Sequence, residues 1–175
     1  HCETPLLRTA PVPLFLLSRL VRDCGIRVVL TGEGADEWMA GYDIFKEDSV
    51  RRFWARQPDS TRRPALLNRL YADVAQSSSR GPLWQKFFSH ALTDTDHPFY
   101  SHLIRWRNTA WSLRVLCPEI RESLDPSQMF EEANSEMPEG WMRWTPLERA
   151  QLIEVQTFMS SYLLPYQGGR VAMAH

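Results

Sequence analysis

Seven consecutive residues carry most of the chemistry legible in this chain: Thr31-Gly32-Glu33-Gly34-Ala35-Asp36-Glu37. Gly32 and Gly34 place no side chain between the backbone amides and an approaching anion. Glu33, Asp36 and Glu37 set three carboxylates in the same turn. Carboxylates beside a phosphate-binding turn require a cation between the two, and magnesium, a hard ion shared by carboxylate and phosphate oxygens, suits that place. The pattern predicts a nucleotide-phosphate site with Mg2+. It is not the lysine-bearing phosphate loop of common NTPases, because no lysine follows the glycines. A strand-to-helix turn with capping acids uses the same residue types, and spacing alone leaves both readings open.

Other reactive side chains are weaker candidates. His97 and His102 have no Cys or acidic partner at metal-ligand spacing, so surface or helix-cap roles are expected. Trp54, Trp84, Trp106, Trp111, Trp141 and Trp144 sit in helical settings that favour core packing over base stacking. Arg51-Arg52 and Arg62-Arg63 read as solvated helix faces. Cys2, Cys24 and Cys117 are odd in number and widely spaced, which fits a reducing compartment better than a disulfide framework.

The elements that must hold the turn are α/β in pattern. Leu14–Arg22 has apolar residues at helical spacing after Pro11 and Pro13, and Gly25 is placed to cap it in the left-handed conformation. Ile26-Arg27-Val28-Val29-Leu30 reads as a strand covered on both faces, as in a parallel sheet. The turn follows its C-terminal end, where open α/β sheets bind ligands, and leads into a helix whose N-terminus favours anions. That helix is expected over Trp38–Phe45. Beyond Asp48 the pattern is helical: 48–57, 64–75, 83–92 and 99–116, with a loop over 76–82 and a short helix from Pro118 to Asp125-Pro126. Met129–Trp144 reads as irregular and acidic. Thr145-Pro146-Leu147-Glu148, with an N-cap hydroxyl and a proline at the first helical position, opens a long helix to about Leu164.

Composition bounds the function. The chain has 175 residues, 43% hydrophobic, with 20 basic against 21 acidic side chains and a net charge of -1. There is no basic field for a polyanion, so nucleic acid is not an expected partner. No segment approaches the ~18–20 apolar residues of a membrane helix. A cytoplasmic location is expected.

Val29–Glu37 followed by Ala40-Gly41-Tyr42 closely resembles the SGEGADE…GGY motif of glutamine-dependent (class B) asparagine synthetases. Glu3-Thr4-Pro5 with Arg8-Thr9-Ala10 is similar to the family's segment before this strand. Tyr162-Leu163-Leu164-Pro165-Tyr166-Gln167-Gly168-Gly169-Arg170-Val171-Ala172-Met173-Ala174-His175 is similar to its YLLxxQGDRxxMAHS stretch. Thr31, Ala40 and Gly169 depart from the family's usual Ser, Gly and Asp, and Gly169 removes a charge partner for Arg170.

The resemblance implies an α/β fold, mostly helical in this segment: part of an adenine-nucleotide α-hydrolase-like parallel-sheet domain followed by a helical region. Residues 1–47 would be the α/β part of an ATP-pyrophosphatase-type synthetase domain and residues 48–175 its helical part. The SGGxDS loop and the glutaminase domain have no counterpart here, so an internal piece, inactive alone, is expected. The implied cofactors are ATP and Mg2+, and the implied reaction is activation of the aspartate side-chain carboxylate as an acyl-adenylate, then amidation by glutamine-derived ammonia. By position, Thr31, Gly32, Gly34 and Asp36 would bind ATP and diphosphate, Asp36 also the metal, and Glu33 would be the acid-base residue. Gln167 and Arg170 are candidate substrate or nucleotide contacts. The implied partners are these small molecules, the glutaminase domain of the same polypeptide, and a second copy in a homodimer. Two alternatives stand beside this reading: a related carboxylate-adenylating enzyme (β-lactam synthetase-like, or an amidotransferase of a biosynthetic cluster), and a non-catalytic helical interaction module.

Overall fold

Prolines at the first turn, where an amide would go unpaired in any case, start helix α1 at Pro11, and it runs Pro11–Asp23. It belongs to a computed structural model that describes residues 8–71 and 81–169. The chain divides into two compact units: residues up to Gly41 together with those from Gln151 onward, and Tyr42–Ala150.

In the first unit, Gly25 ends α1 at φ +76°. Its N–H donates to Arg22 O at 2.8 Å and that of Ile26 to Val21 O at 3.1 Å, the paired bonds of a Schellman cap. The predicted strand is not formed. Ile26–Leu30 runs without helix or ladder, and Val28 and Leu30 are 78% and 95% exposed. The reason is pairing: no strand occurs among the described residues, so this apolar run has no neighbour to satisfy its amides and carbonyls. Val12, Leu16, Leu17 and Leu20 of α1 are likewise more than half or about half exposed. The turn then leads into α2, Ala35–Met39, shorter and earlier than the helix expected from Trp38. At the other end of this unit, a π-helix over Val155–Gly169 packs against both α1 and α2.

The second unit is helical. Helix α3 (Asp43–Ala55) buries one stripe of residues at helical spacing, Ile44, Glu47, Asp48, Arg51 and Trp54. Three of the five are charged. Arg51 Nε donates to Phe88 O (3.2 Å), Nη1 to Tyr100 O (3.1 Å) and Nη2 to His90 O (2.9 Å). One guanidinium thus satisfies carbonyls where α5 (Gly81–Ser89) ends and α6 (Tyr100–Thr109) begins. It also stacks on Tyr100, 4.2 Å from the ring centroid. Arg51 is therefore buried, not a solvated face; Arg52, beside it, donates to Asp48 Oδ2 (2.8 Å) and Thr95 O (2.9 Å). Burial pushes the Asp48 carboxyl above its ordinary range despite Arg52.

Glu47 accepts from Tyr71 Oη and from Arg105 Nη2, the latter at 2.6 Å, which ties α3 to α6 and to the end of α4 (Leu67–Leu70). Burial and then the Glu47 carboxylate push the Tyr71 phenol well up. The apolar core lies alongside: Trp54, Leu67, Phe88, Leu92 and Ile104, each stabilising by roughly 1.5–3 kcal/mol if fully buried.

A second aromatic cluster joins Phe99, Trp106, Phe130 and Trp141, with Phe99 5.3 Å from Trp106 and 5.5 Å from Trp141. Trp54 and Trp141 are buried as core packing requires, whereas Trp111 is 65% exposed.

Several boundaries differ from the sequence pattern. A 3-10 turn (Arg63–Leu66) precedes α4, and residues 72–80, which include most of the expected loop, lie outside the described residues. The helix expected over 99–116 is α6 followed by a 3-10 segment, Ala110–Val115. Helix α7 (Pro118–Ser123) forms as expected. Helix α8 (Pro126–Ser135) replaces much of the irregular stretch, because the Asp125 carboxylate accepts the Ser127 N–H at 2.8 Å and caps it. Helix α9 (Pro146–Glu154) opens on a reciprocal capping box: Thr145 Oγ1 accepts the Glu148 N–H at 3.3 Å, and Glu148 Oε2 accepts the Thr145 N–H at 2.8 Å. The expected long helix continues past Glu154 only by widening to π geometry.

Candidate functional site

The glycine turn is built as its residue types require. Ala35 N–H donates to Gly32 O at 3.2 Å, closing a turn over Gly32–Ala35. Gly34 sits in it at φ +93°, ψ -11°, the third-residue conformation of a type II turn, which a side chain would strain. It is also crowded: a Cβ there would stand 3.1 Å from Met159 Sδ and 3.5 Å from Trp38 Cδ1. Thr31, Gly32, Glu33 and Asp36 are exposed, so the predicted hydroxyl, the backbone at Gly32 and two carboxylates are open to a ligand, whereas Gly34 is buried against Met159 and Trp38. Glu37 turns the other way and is 1% exposed, which removes it from the open group. With five residues, α2 is too short for a macrodipole of the size expected from sequence.

Two contacts that sequence patterns do not signal fix the turn. Gln151 Nε2 donates to Trp38 O at 2.7 Å, at the C-terminal end of α2. Met159, on the π-helix, covers Gly34. The π-helix itself carries side-chain bonds from Ser160 and Ser161 to Gln156 O, at 2.6 and 2.8 Å.

At the exit of α2 the chain reverses through Ala40, a non-glycine residue in the left-handed region (φ +57°). The N–H groups of Ala40 and Gly41 both donate to Asp36 O. The alanine at position 40 thus occupies a place where glycine is the unstrained choice.

Of the remaining candidates, Gln167 is half-buried on the π-helix, and Arg170 lies outside the described residues. His97 Nδ1 accepts the Phe99 N–H at 3.1 Å just before α6, and burial with Arg107 nearby lowers its pKa. His102 is buried beside Ser101 Oγ at 2.8 Å, a core position instead of the surface one expected. Cys24 and Cys117 are free and exposed. A depression of about 490 Å³ in the second unit, between Phe87, Ile104 and Trp111, contains no residue of the glycine turn.

Among the described residues no three His, Cys, Asp or Glu side chains gather around a metal-sized point. Magnesium in nucleotide enzymes needs no such cage, since one or two carboxylates hold it and phosphates supply further oxygens. Exposed Asp36, whose carboxylate makes no hydrogen bond or ion pair among the described residues, fits that use.

The sequence model of the family described as asparagine synthase matches residues 1–175. The chain belongs to the asparagine synthase family. Among its relatives, "Amidase chry2" of Gibberella zeae is 27% identical over 183 residues, covering all of this chain and 26% of that protein. A "Putative asparagine synthetase [glutamine-hydrolyzing]" of Mycobacterium bovis is 26% identical over 176 residues, covering all of this chain and 25% of its own length. An "Asparagine synthetase [glutamine-hydrolyzing]" of Zea mays is 32% identical over 103 residues, 55% of this chain and 18% of that protein. The chain thus spans about a quarter of the length of the curated relatives that it matches throughout. No solved structure matches it. Among the described residues no helix is long and apolar enough to cross a membrane.

Proposed function

We propose that this chain is the nucleotide-handling part of an ATP-dependent, amide-forming synthetase. The observation that carries the reading is the Thr31–Asp36 turn, exposed except at Gly34 and held by Gln151 and Met159, in a member of the asparagine synthase family. In the proposed reaction an aspartate side-chain carboxylate attacks the α-phosphorus of ATP and diphosphate leaves. Ammonia then attacks the acyl carbon of the adenylate, giving asparagine and AMP. Thr31 and the amides around Gly32 and Gly34 bind the phosphates, and exposed Glu33 accepts the proton that ammonia loses on attack. Asp36 would hold Mg2+, which when bound offsets the charge that develops on the leaving diphosphate. Gln167 and Arg170 are proposed substrate contacts. A glutaminase domain of the same polypeptide would supply the ammonia, and cytoplasmic ATP and aspartate the rest; a homodimer is part of the same proposal. Strand pairing of Ile26–Leu30 within a parallel sheet completes it, and would bury the surface that this run exposes.

The test is steady-state assay of the gene's complete product with aspartate, glutamine and ATP, following AMP, diphosphate and asparagine. Asp36→Asn is expected to lower AMP formation by roughly 100-fold or more while leaving glutamine hydrolysis unchanged. Diphosphate release at the unsubstituted rate would refute the assignment of Asp36.

A second reading shares the adenylation step and differs in the carboxylate. It is favoured by two relatives named amidases, chry2 of Gibberella zeae and chyE of Penicillium rubens, each 27% identical across this whole chain. AMP formation with another carboxylate, and none with aspartate, would select it.

A further inference from the structure

We propose that Gly41 is a positioning residue for Asp36: its missing side chain is the space in which the Asp36 carboxylate rests. The proposal rests on Asp36 as the Mg2+ ligand and goes beyond it by naming what aims that ligand. Asp36 is exposed, and no hydrogen bond or ion pair among the described residues directs its side chain. Its surroundings are instead set by backbone. Ala40 turns the chain back through the left-handed region, and both Ala40 and Gly41 donate their N–H to Asp36 O, the latter at 2.9 Å. This lays the Cα of Gly41 directly against the Asp36 side chain. A Cβ at position 41 would overlap Asp36 Oδ1 outright and stand 3.0 Å from Cγ and 3.2 Å from Cα. Carbon atoms in contact prefer about 3.5–4.0 Å, so something must yield. The exposed carboxylate yields more easily than a turn held by two hydrogen bonds, so a side chain at 41 moves the carboxylate and leaves the fold in place. The residue acts through Asp36 and touches no substrate.

The experiment uses the complete gene product with Mn2+ in place of Mg2+ and saturating ATP. Free Mn2+ is read by electron paramagnetic resonance, and thermal unfolding is followed in parallel. Gly41→Ala is expected to weaken Mn2+ binding by about tenfold or more, with the melting temperature within about 2 °C of the unsubstituted protein. In an Asp36→Ala background, where the overlapped oxygen is gone, Gly41→Ala is expected to change binding by less than about twofold. Unchanged Mn2+ affinity in Gly41→Ala, or an equal loss in both backgrounds, would overturn the proposal. Unchanged affinity in Asp36→Ala alone would overturn the underlying reading of Asp36 and the proposal with it. Should Gly41→Ala fail to fold, the double variant decides. Folding of that variant, with the affinity of Asp36→Ala, supports the steric account, and its failure to fold refutes it.

Discussion

Replacing Arg51 by alanine is expected to unfasten one whole connection of the second unit. Arg51 is 1% exposed and donates to the carbonyls of Phe88, Tyr100 and His90, with a fourth contact to Ala91 O at 3.4 Å. Burial lowers its pKa, yet Tyr100, Asp48 and Glu47 around it favour the charged form. Truncation leaves at least three carbonyls without this donor, at about 1–3 kcal/mol for each that water cannot reach. It also leaves Asp48 buried without one of its cations. Since relaxation and entering water recover part of this, the net loss is about 3–5 kcal/mol. Arg51→Lys keeps the charge but offers a compact ammonium in place of a planar fork, and should lose about half as much. Arg62→Ala, at an exposed position, should stay within about 0.5 kcal/mol. The assay is hydrogen exchange by mass spectrometry on peptides spanning 88–100 in the complete gene product, because local opening is read there directly. Acceleration of more than about a hundredfold is expected in Arg51→Ala, at roughly 1.4 kcal/mol per tenfold. Exchange within about threefold of the unsubstituted protein would show that the carbonyls find other partners and that the guanidinium is not their anchor.

Ala40→Gly should relieve left-handed strain of about 1–2 kcal/mol, less about 0.4–1 kcal/mol of added freedom in the unfolded chain; a net gain below zero in denaturant unfolding would count against the strain. Thr145→Ala should cost about 1 kcal/mol at neutral pH through loss of the α9 cap, read as faster exchange of the amides of Glu148–Ala150. Hydrogen bonds from Thr145 N–H and then from its hydroxyl hold the Glu148 carboxyl below its usual range. A depressed carboxylate stabilises the fold fully above its unfolded value near about pH 4.3 and loses that effect as pH falls through the folded value. The difference between the unsubstituted protein and Glu148→Gln should therefore be present at pH 6 and absent in acid; a difference that grew on acidification would contradict this sign.

What the sequence determined by itself is local. Gly25 as a helix cap, Pro11 as a helix start and the Thr145–Glu148 box depend on bonds within a few residues, and each forms where the residue types place it. The Gly32–Asp36 turn is local in the same way, since a residue at φ +93° needs glycine whatever surrounds it. Tertiary structure decided the rest. Arg51 reads as part of a solvated face in sequence because its partners and those of neighbouring Glu47 (carbonyls, a phenol and a guanidinium) lie 24 to 58 positions away, invisible to any periodicity. Ile26–Leu30 has the composition of a strand, but a strand exists only with a neighbour to pair its backbone, and the described residues contain none. The motif marks Asp36 as a candidate ligand. That Gly41 makes room for its carboxylate, and that Gln151, 113 positions from Trp38, ties down the end of α2, follows only from where the folded chain brings them.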